Sequence, residues 1–159
     1  ILEAGREAGK LAGVTTLVLQ PNVGEDIVRR WLLERGWHLA SERIIEEDGR
    51  WYEILEARRV PDADRLGAAL YDASFLELDR PAETKRELLL RMGPWLLRRP
   101  DERLFGKWRS ELDKLEAISR QIERSDSPEA ARKRREIAEE IGLIGEVMAC
   151  LRADNSSSS

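Results

Sequence analysis

Thr15 to Leu19 is a short apolar run rich in β-branched residues and leucine, with no polar alternation, and it is soon followed by Pro21. That pattern predicts a short strand buried on both faces, of the kind found in parallel sheets. Proline stops it, having no N–H for the ladder. Asn22 is placed to cap the next helix, with Glu25 three residues on as its partner. Ile1 to Ala12 reads as a helix with Ile1, Leu2, Ala8 and Leu11 on one face and Gly13 as its stop. Gly24 to Arg35 is amphipathic, with Ile27, Val28, Trp31 and Leu32 at helical spacing as the inward stripe. From Trp37 to Glu46 the pattern becomes extended, with Leu39, Ile44 and Ile45 as buried candidates. Asp48-Gly49 signals a hairpin turn, and Trp51 to Ala57 returns, with Tyr52, Ile54 and Leu55 as core contacts.

The second half changes period. Val60 to Arg80 reads as a connection with helical pieces, in which Phe75, Leu76 and Leu78 are expected to pack on the sheet. Thr84 to Met92 predicts a short helix broken by Gly93-Pro94, and Trp95, Leu96 and Leu97 form an apolar anchor. Phe105, Trp108, Leu112, Leu115, Ser119 and Ile122 step by three and four along a helix over 101–124. Ser127 suits an N-cap and Pro128 a first helical position. The helix they open, over 129–151, carries Ala130, Ile137, Ile141, Ile144, Met148 and Leu151 on its seam. Two seams joined by a short turn predict an antiparallel helical hairpin.

The fold class expected is therefore α/β: part of a sheet made of a parallel strand, a helix and an antiparallel hairpin, followed by an antiparallel α-helical coiled-coil hairpin. Residues 1–60 form the sheet part, 61–100 a connecting helical segment, 101–152 the coiled-coil hairpin and 153–159 a disordered tail. A strand buried on both faces needs neighbours that three strands do not supply. Either a partner chain provides them or a preceding half is missing, and a first residue of Ile1 suggests a fragment or a processed chain.

Composition narrows the functions. Of 159 residues, 36% are charged, well above the usual quarter, which favours long solvated helices. The net charge of -4 argues against a uniformly basic nucleic-acid binder but not against a local patch. A single cysteine, Cys150, excludes an internal disulfide framework and a cysteine-rich zinc site. No apolar run is long enough for a membrane span, so a cytoplasmic protein without a membrane partner is expected.

No glycine-rich phosphate loop, Walker pattern or metal-ligand cluster is visible, so no cofactor-binding residue and no metal ligand is assigned, and the catalytic residues stay open. His38, the only histidine, reads as a half-exposed strand residue beside Trp37. Glu46-Glu47-Asp48 reads as a solvated hairpin tip, and the five tryptophans as core. Arg132, Lys133, Arg134 and Arg135 stand apart, since basic side chains near a helix start oppose its dipole. With Arg120 and Arg124 on the other arm, they make a basic tip. Between Arg98 and Glu136 there are 12 basic and 9 acidic residues, net +3 in a chain of -4. These six residues are RNA-binding candidates through phosphate contacts.

Ile1-Leu-Glu-Ala-Gly5, Leu17-Val-Leu-Gln-Pro-Asn22, Trp31-Leu with Gly36-Trp37, and Glu46-Glu-Asp-Gly49 with Tyr52-Glu-Ile54 together resemble the TrmK family. These are bacterial S-adenosylmethionine-dependent tRNA (adenine-N1)-methyltransferases acting on adenine 22. The resemblance implies that the sheet part is the C-terminal part of a Rossmann-like class I methyltransferase domain, and that the hairpin is that family's C-terminal coiled coil. It implies S-adenosylmethionine as cofactor and tRNA as partner, with the donor-binding strands and turns lying before Ile1. Gln20, Pro21 and Asn22 then become substrate-pocket candidates, at the end of a parallel strand where α/β sheets place ligands. Two other readings stay open: a non-enzymatic RNA- or protein-binding module built on the helical hairpin, and a chain that self-associates through its exposed sheet edge or its hairpin.

Overall fold

The computed structural model describes residues 1–123 and 127–157. The elements run α1 (Leu2–Glu7), β1 (Thr16–Leu19), α2 (Glu25–Glu34), β2 (His38–Glu47), β3 (Arg50–Arg58), α3 (Ala63–Leu70), α4 (Ala82–Met92), α5 (Pro94–Arg98), α6 (Glu102–Ile122) and α7 (Pro128–Ser157). They form two compact units. The first contains residues 1–72 and 88–95, and the second contains residues 73–87 and 96 onward.

The first unit is built on a three-stranded sheet of order β1-β3-β2. The hairpin is where the sequence puts it. Asp48 and Gly49 both take positive φ (50° and 71°), as a two-residue turn between right-twisted strands requires. The strand expected to be parallel is not: β1 pairs antiparallel with β3, Thr16 opposite Arg58 and Leu19 opposite Leu55. Nor is it buried on both faces. Leu17 and Leu19 are half-buried, but Thr16 and Val18, on the opposite face, are exposed.

One face of the sheet carries Leu39, Glu42, Ile44, Glu53, Leu55 and Ala57, all buried. Inward parity in β3 therefore falls on Glu53, Leu55 and Ala57, while Tyr52 and Ile54 are half-buried. Leu32, Leu70, Leu88, Leu89, Leu90 and Met92 complete this core. The α2 stripe is rotated from the expected one. Leu32 and Arg29 are buried, whereas Ile27 is 69% exposed. α1 is shorter than its pattern: it stops at Glu7, and the chain turns left-handed at Gly9 (φ 68°). Glu3 ties it to α2 by accepting from the Trp31 indole N–H (2.5 Å) and from Arg35 (3.1 Å).

The second unit is helical. Phe75, Leu76 and Leu78 belong to it rather than to the sheet unit. Asp101 caps α6, its carboxylate accepting from the Arg103 and Leu104 amides, both at 3.0 Å. Ser127 caps α7 as its position predicts, accepting from the Ala130 amide (3.1 Å). α6 and α7 pack together, and Arg152 lies over the Phe105 ring at 4.7 Å, which fixes their antiparallel sense. Of the expected seam, Phe105, Trp108, Ile137, Ile144 and Leu151 are buried, joined by Leu104 and Val147. Leu112, Leu115, Ser119, Ile122, Ile141 and Met148 are half-buried. α7 continues past Leu151 to Ser157, with no glycine or proline there to stop it. Among the described residues no helix is long and apolar enough to cross a membrane.

Candidate functional site

The turn after β1 is built by three backbone constraints. Pro21 ends the ladder, residues 22 and 23 bend, and Gly24 enters α2 with φ 76°. Gly24 is itself the N-cap, and no side chain caps the helix, so Asn22 does not serve the role its position suggested. A side chain at Gly24 would be strained by that φ, and its Cβ would sit 3.3 Å from Ile27 Cδ1. Gln20 and Asn22 are thereby left exposed, with Pro21 half-buried between them. Val23 and Ile27 are also exposed, at 85% and 69%, as is Val18 at 71%. The site is thus two free amides, donors and acceptors both, beside an apolar ledge. Glu25 and Asp26 occupy the first turn of α2, which makes this helix start unsuited to a phosphate.

The second candidate is the basic end of the helix pair. Antiparallel packing puts Arg120, in the last turn of α6, at the same end as the 132–135 run in α7. Arg120, Arg132, Lys133 and Arg135 are exposed and Arg134 is half-buried. Arg124 lies outside the described residues. Glu136 lies 3.9 Å from Arg132 and 3.5 Å from Lys133. Such exposed pairs are weak and exchangeable, so the run keeps cationic groups for an anionic partner.

The structure adds a cluster that pattern reading missed. Arg29 is fully buried and donates from Nε to Glu42 Oε1 (2.6 Å) and from Nη2 to Glu53 Oε2. Nη1 reaches the Leu90 and Arg91 carbonyls (3.0 and 3.2 Å). Glu42 Oε2 accepts from the Trp95 amide (2.9 Å). Burial pulls the guanidinium toward neutrality, but the two carboxylates outweigh it and its pKa is raised. Burial, only partly offset by Arg29, raises that of Glu42. A signal existed: Glu42 pairs with Leu55 and Ile44 with Glu53, so two carboxylates sit diagonally on the inward face and call for a cation.

Other flagged residues take quieter places. Glu46, Glu47 and Asp48 are a solvated hairpin tip. His38 is half-buried, its pKa lowered by burial and by Arg58. Trp37 and Trp108 are buried, and the remaining tryptophans half-buried. Cys150 is half-buried beside the Arg80–Glu146 ion pair, bordering a shallow groove.

The chain is similar in sequence and in fold to known proteins. The family model for TrmK, tRNA (adenine(22)-N(1))-methyltransferase, matches residues 1–146. The tRNA (adenine(22)-N(1))-methyltransferase of Bacillus subtilis (strain 168) is 34% identical over 149 residues, 93% of this chain and 56% of that protein. The crystal structure of the B. subtilis M1A22 tRNA methyltransferase TrmK is similar with a TM-score of 0.68 at 32% identity, over 92% of this chain and 56% of that one. A Streptococcus pneumoniae structure in complex with S-adenosyl-L-methionine matches with a TM-score of 0.62 at 29% identity, over 92% and 54%. The chain thus spans about half the length of these relatives. With the family's pattern running through both units, from Ile1 to Glu146, this chain belongs to the TrmK family of tRNA (adenine(22)-N(1))-methyltransferases.

Proposed function

We propose that this chain serves, within a longer protein, the S-adenosylmethionine-dependent methylation of N1 of adenine 22 in tRNA. The observation that carries the reading is the family match over residues 1–146, which takes in the β1 turn and most of the helix pair. On this reading the protein is cytoplasmic and tRNA is its partner. The three strands are the C-terminal part of a Rossmann-like sheet, and α6 and α7 form the coiled-coil hairpin that helps to hold the tRNA.

The residues present do not fit the methyl donor. Gln20 and Asn22 are exposed, and Val23 beside them is open to solvent, so they meet a flat ligand edge rather than enclose a nucleoside bearing a sulfonium. On this reading the donor is held outside this stretch. What these residues supply is orientation. Neutral adenine keeps a lone pair on N1 and needs no strong base, so the demand on the protein is to hold the unstacked base in line and dry. Gln20 and Asn22 can hydrogen-bond the adenine edge, and Arg120 with Arg132 to Arg135 can contact phosphate.

The test is methyl-donor binding by calorimetry, together with methyl transfer to tRNA. Both are measured on this chain and on a version extended at its N-terminus to the length of the B. subtilis relative. Binding and transfer by the extended version alone support the reading. Binding by neither removes it in favour of an RNA- or protein-binding module, and binding by this chain alone overturns the placement of the donor. In the extended protein, Asn22→Ala should slow transfer about tenfold, the loss of one hydrogen bond. The melting temperature should hold, because Gly24 and not Asn22 caps α2.

A further inference from the structure

α4 ends at Met92 and α5 begins at Pro94, leaving a one-residue elbow at Gly93. An elbow made of a glycine with φ 95° would ordinarily be a free joint, since that conformation suits glycine and little else. Here it is buried. Met92, Gly93 and Pro94 are all buried and Trp95 is half-buried. Both sides of the elbow are held by one ion pair. The Leu90 and Arg91 carbonyls lie in the last turn of α4, where four C=O groups lack helical partners, and both accept from Arg29 Nη1. The Trp95 N–H lies in the first turn of α5, among the orphan amides of that helix, and donates to Glu42 Oε2. Glu42 Oε1 closes the circuit on Arg29 Nε at 2.6 Å. The cation thus sits on the carbonyl end of one helix and the anion on the amide end of the next. A second strut runs from the Trp95 indole N–H to the Leu39 carbonyl, at 2.8 Å.

We propose that Arg29 and Glu42 form a clamp that locks the α4–α5 elbow onto the sheet, making Gly93 a fixed bend rather than a hinge. The clamp lies wholly within the sheet unit and does not depend on the enzymatic reading. Its key element is the carboxylate of Glu42, whose two oxygens serve two different donors. A glutamine there offers one oxygen only, so it must release either Arg29 or the Trp95 amide. It also leaves Arg29 paired with Glu53, so no uncompensated charge is created.

Hydrogen exchange resolved at single amides tests this on the whole chain. In the unsubstituted protein the Trp95 amide should be as protected as the β2–β3 ladder. Opening of Trp95 ahead of the ladder would overturn the clamp, and this measurement stands even where a variant does not fold. In Glu42→Gln the Trp95 amide should exchange about tenfold faster, the loss of one charged hydrogen bond, while ladder amides hold within about twofold. In Glu53→Gln, which leaves Glu42 intact, Trp95 should stay protected. An unchanged Trp95 amide in Glu42→Gln would overturn the proposal. So would uniform acceleration of every sheet amide, which would make Glu42 a general stabiliser and not a clamp.

Discussion

Replacing Arg29 by methionine should be among the most destabilising single changes in the sheet unit, and the reason sets both its size and its pH dependence. The side chain is fully buried, so methionine fills similar space without opening a large cavity. What disappears is the cation that pairs with Glu42 and Glu53, along with the donor to the Leu90 and Arg91 carbonyls. Breaking a buried pair from one side costs about 3–5 kcal/mol, a large part of the roughly 5–15 kcal/mol that holds a domain. Glu42, whose pKa burial already raises, then favours its protonated form more strongly still, with the Glu53 carboxylate beside it and no cation between them. The native variant thus binds more protons than the unfolded chain, so its stability rises as pH falls. Urea unfolding followed by tryptophan fluorescence is the assay, since Trp31, Trp37, Trp51 and Trp95 lie in the sheet unit and only Trp108 outside it. The deficit should be about 3–5 kcal/mol at pH 7.5 and smaller at pH 5.5. Adding Glu42→Gln and Glu53→Gln to the same variant should recover part of it. A deficit below about 1 kcal/mol, or one that grows on acidification, would refute the reasoning.

Changing Arg132, Lys133, Arg134 and Arg135 together to alanine should weaken tRNA binding. The slope of log affinity against log salt should flatten by roughly 0.7–0.9 for each phosphate no longer neutralised, as read by filter binding across a salt series; an unchanged slope would remove these residues from the interface. Glu3 is held at a pKa of about 2, chiefly by its hydrogen bond from Arg6 and then by that from the Trp31 indole. A depressed carboxylate stabilises above its unfolded pKa and loses that contribution as pH falls through the folded value. The anchoring of α1 should therefore weaken between about pH 4.5 and pH 2. The Trp31 indole N–H resonance would report the release, and Glu3→Gln should abolish its dependence on pH over that window.

Where one residue dictates local geometry, the sequence is a good guide. Asp48-Gly49 forces the hairpin, Ser127 caps α7, and the three-four spacing of Phe105, Trp108, Ile137, Ile144 and Leu151 marks the contact between α6 and α7. What pattern reading missed depends on distant partners. The apolar run at β1 is compatible with either strand direction, and only pairing with β3, some forty residues on, makes it antiparallel. Hydropathy alone puts Arg29 at the surface, because it scores the residue and not its two carboxylates. The amphipathic pattern of α2 puts Ile27 in the core, yet the face it lies on is open in this chain. At the candidate site, the motif locates Gln20 to Asn22, but whether Asn22 caps a helix or stands free is decided by the left-handed backbone at Gly24.

The β2–β3 pairing slips by one residue between Leu39 and Ser41, which face Ala57 and Glu56 in turn, leaving Ala40 with no residue of its own opposite. This bulge explains how Leu39, Glu42 and Ile44, which do not share one parity, all point inward. It also makes Ala40 a position where β2 can change length. A chain lacking that residue would keep Leu39 opposite Ala57, Ser41 opposite Glu56 and Glu42 opposite Leu55, losing only the local kink. Loss of Ser41 would be equivalent, with Ala40 taking its place opposite Glu56, whereas a deletion from 43 to 47 would push the strand one step along β3 and turn Leu39 outward, or carry Glu42 away from Arg29. Among relatives of different lengths, a single-residue gap in this strand should therefore fall at residue 40 or 41.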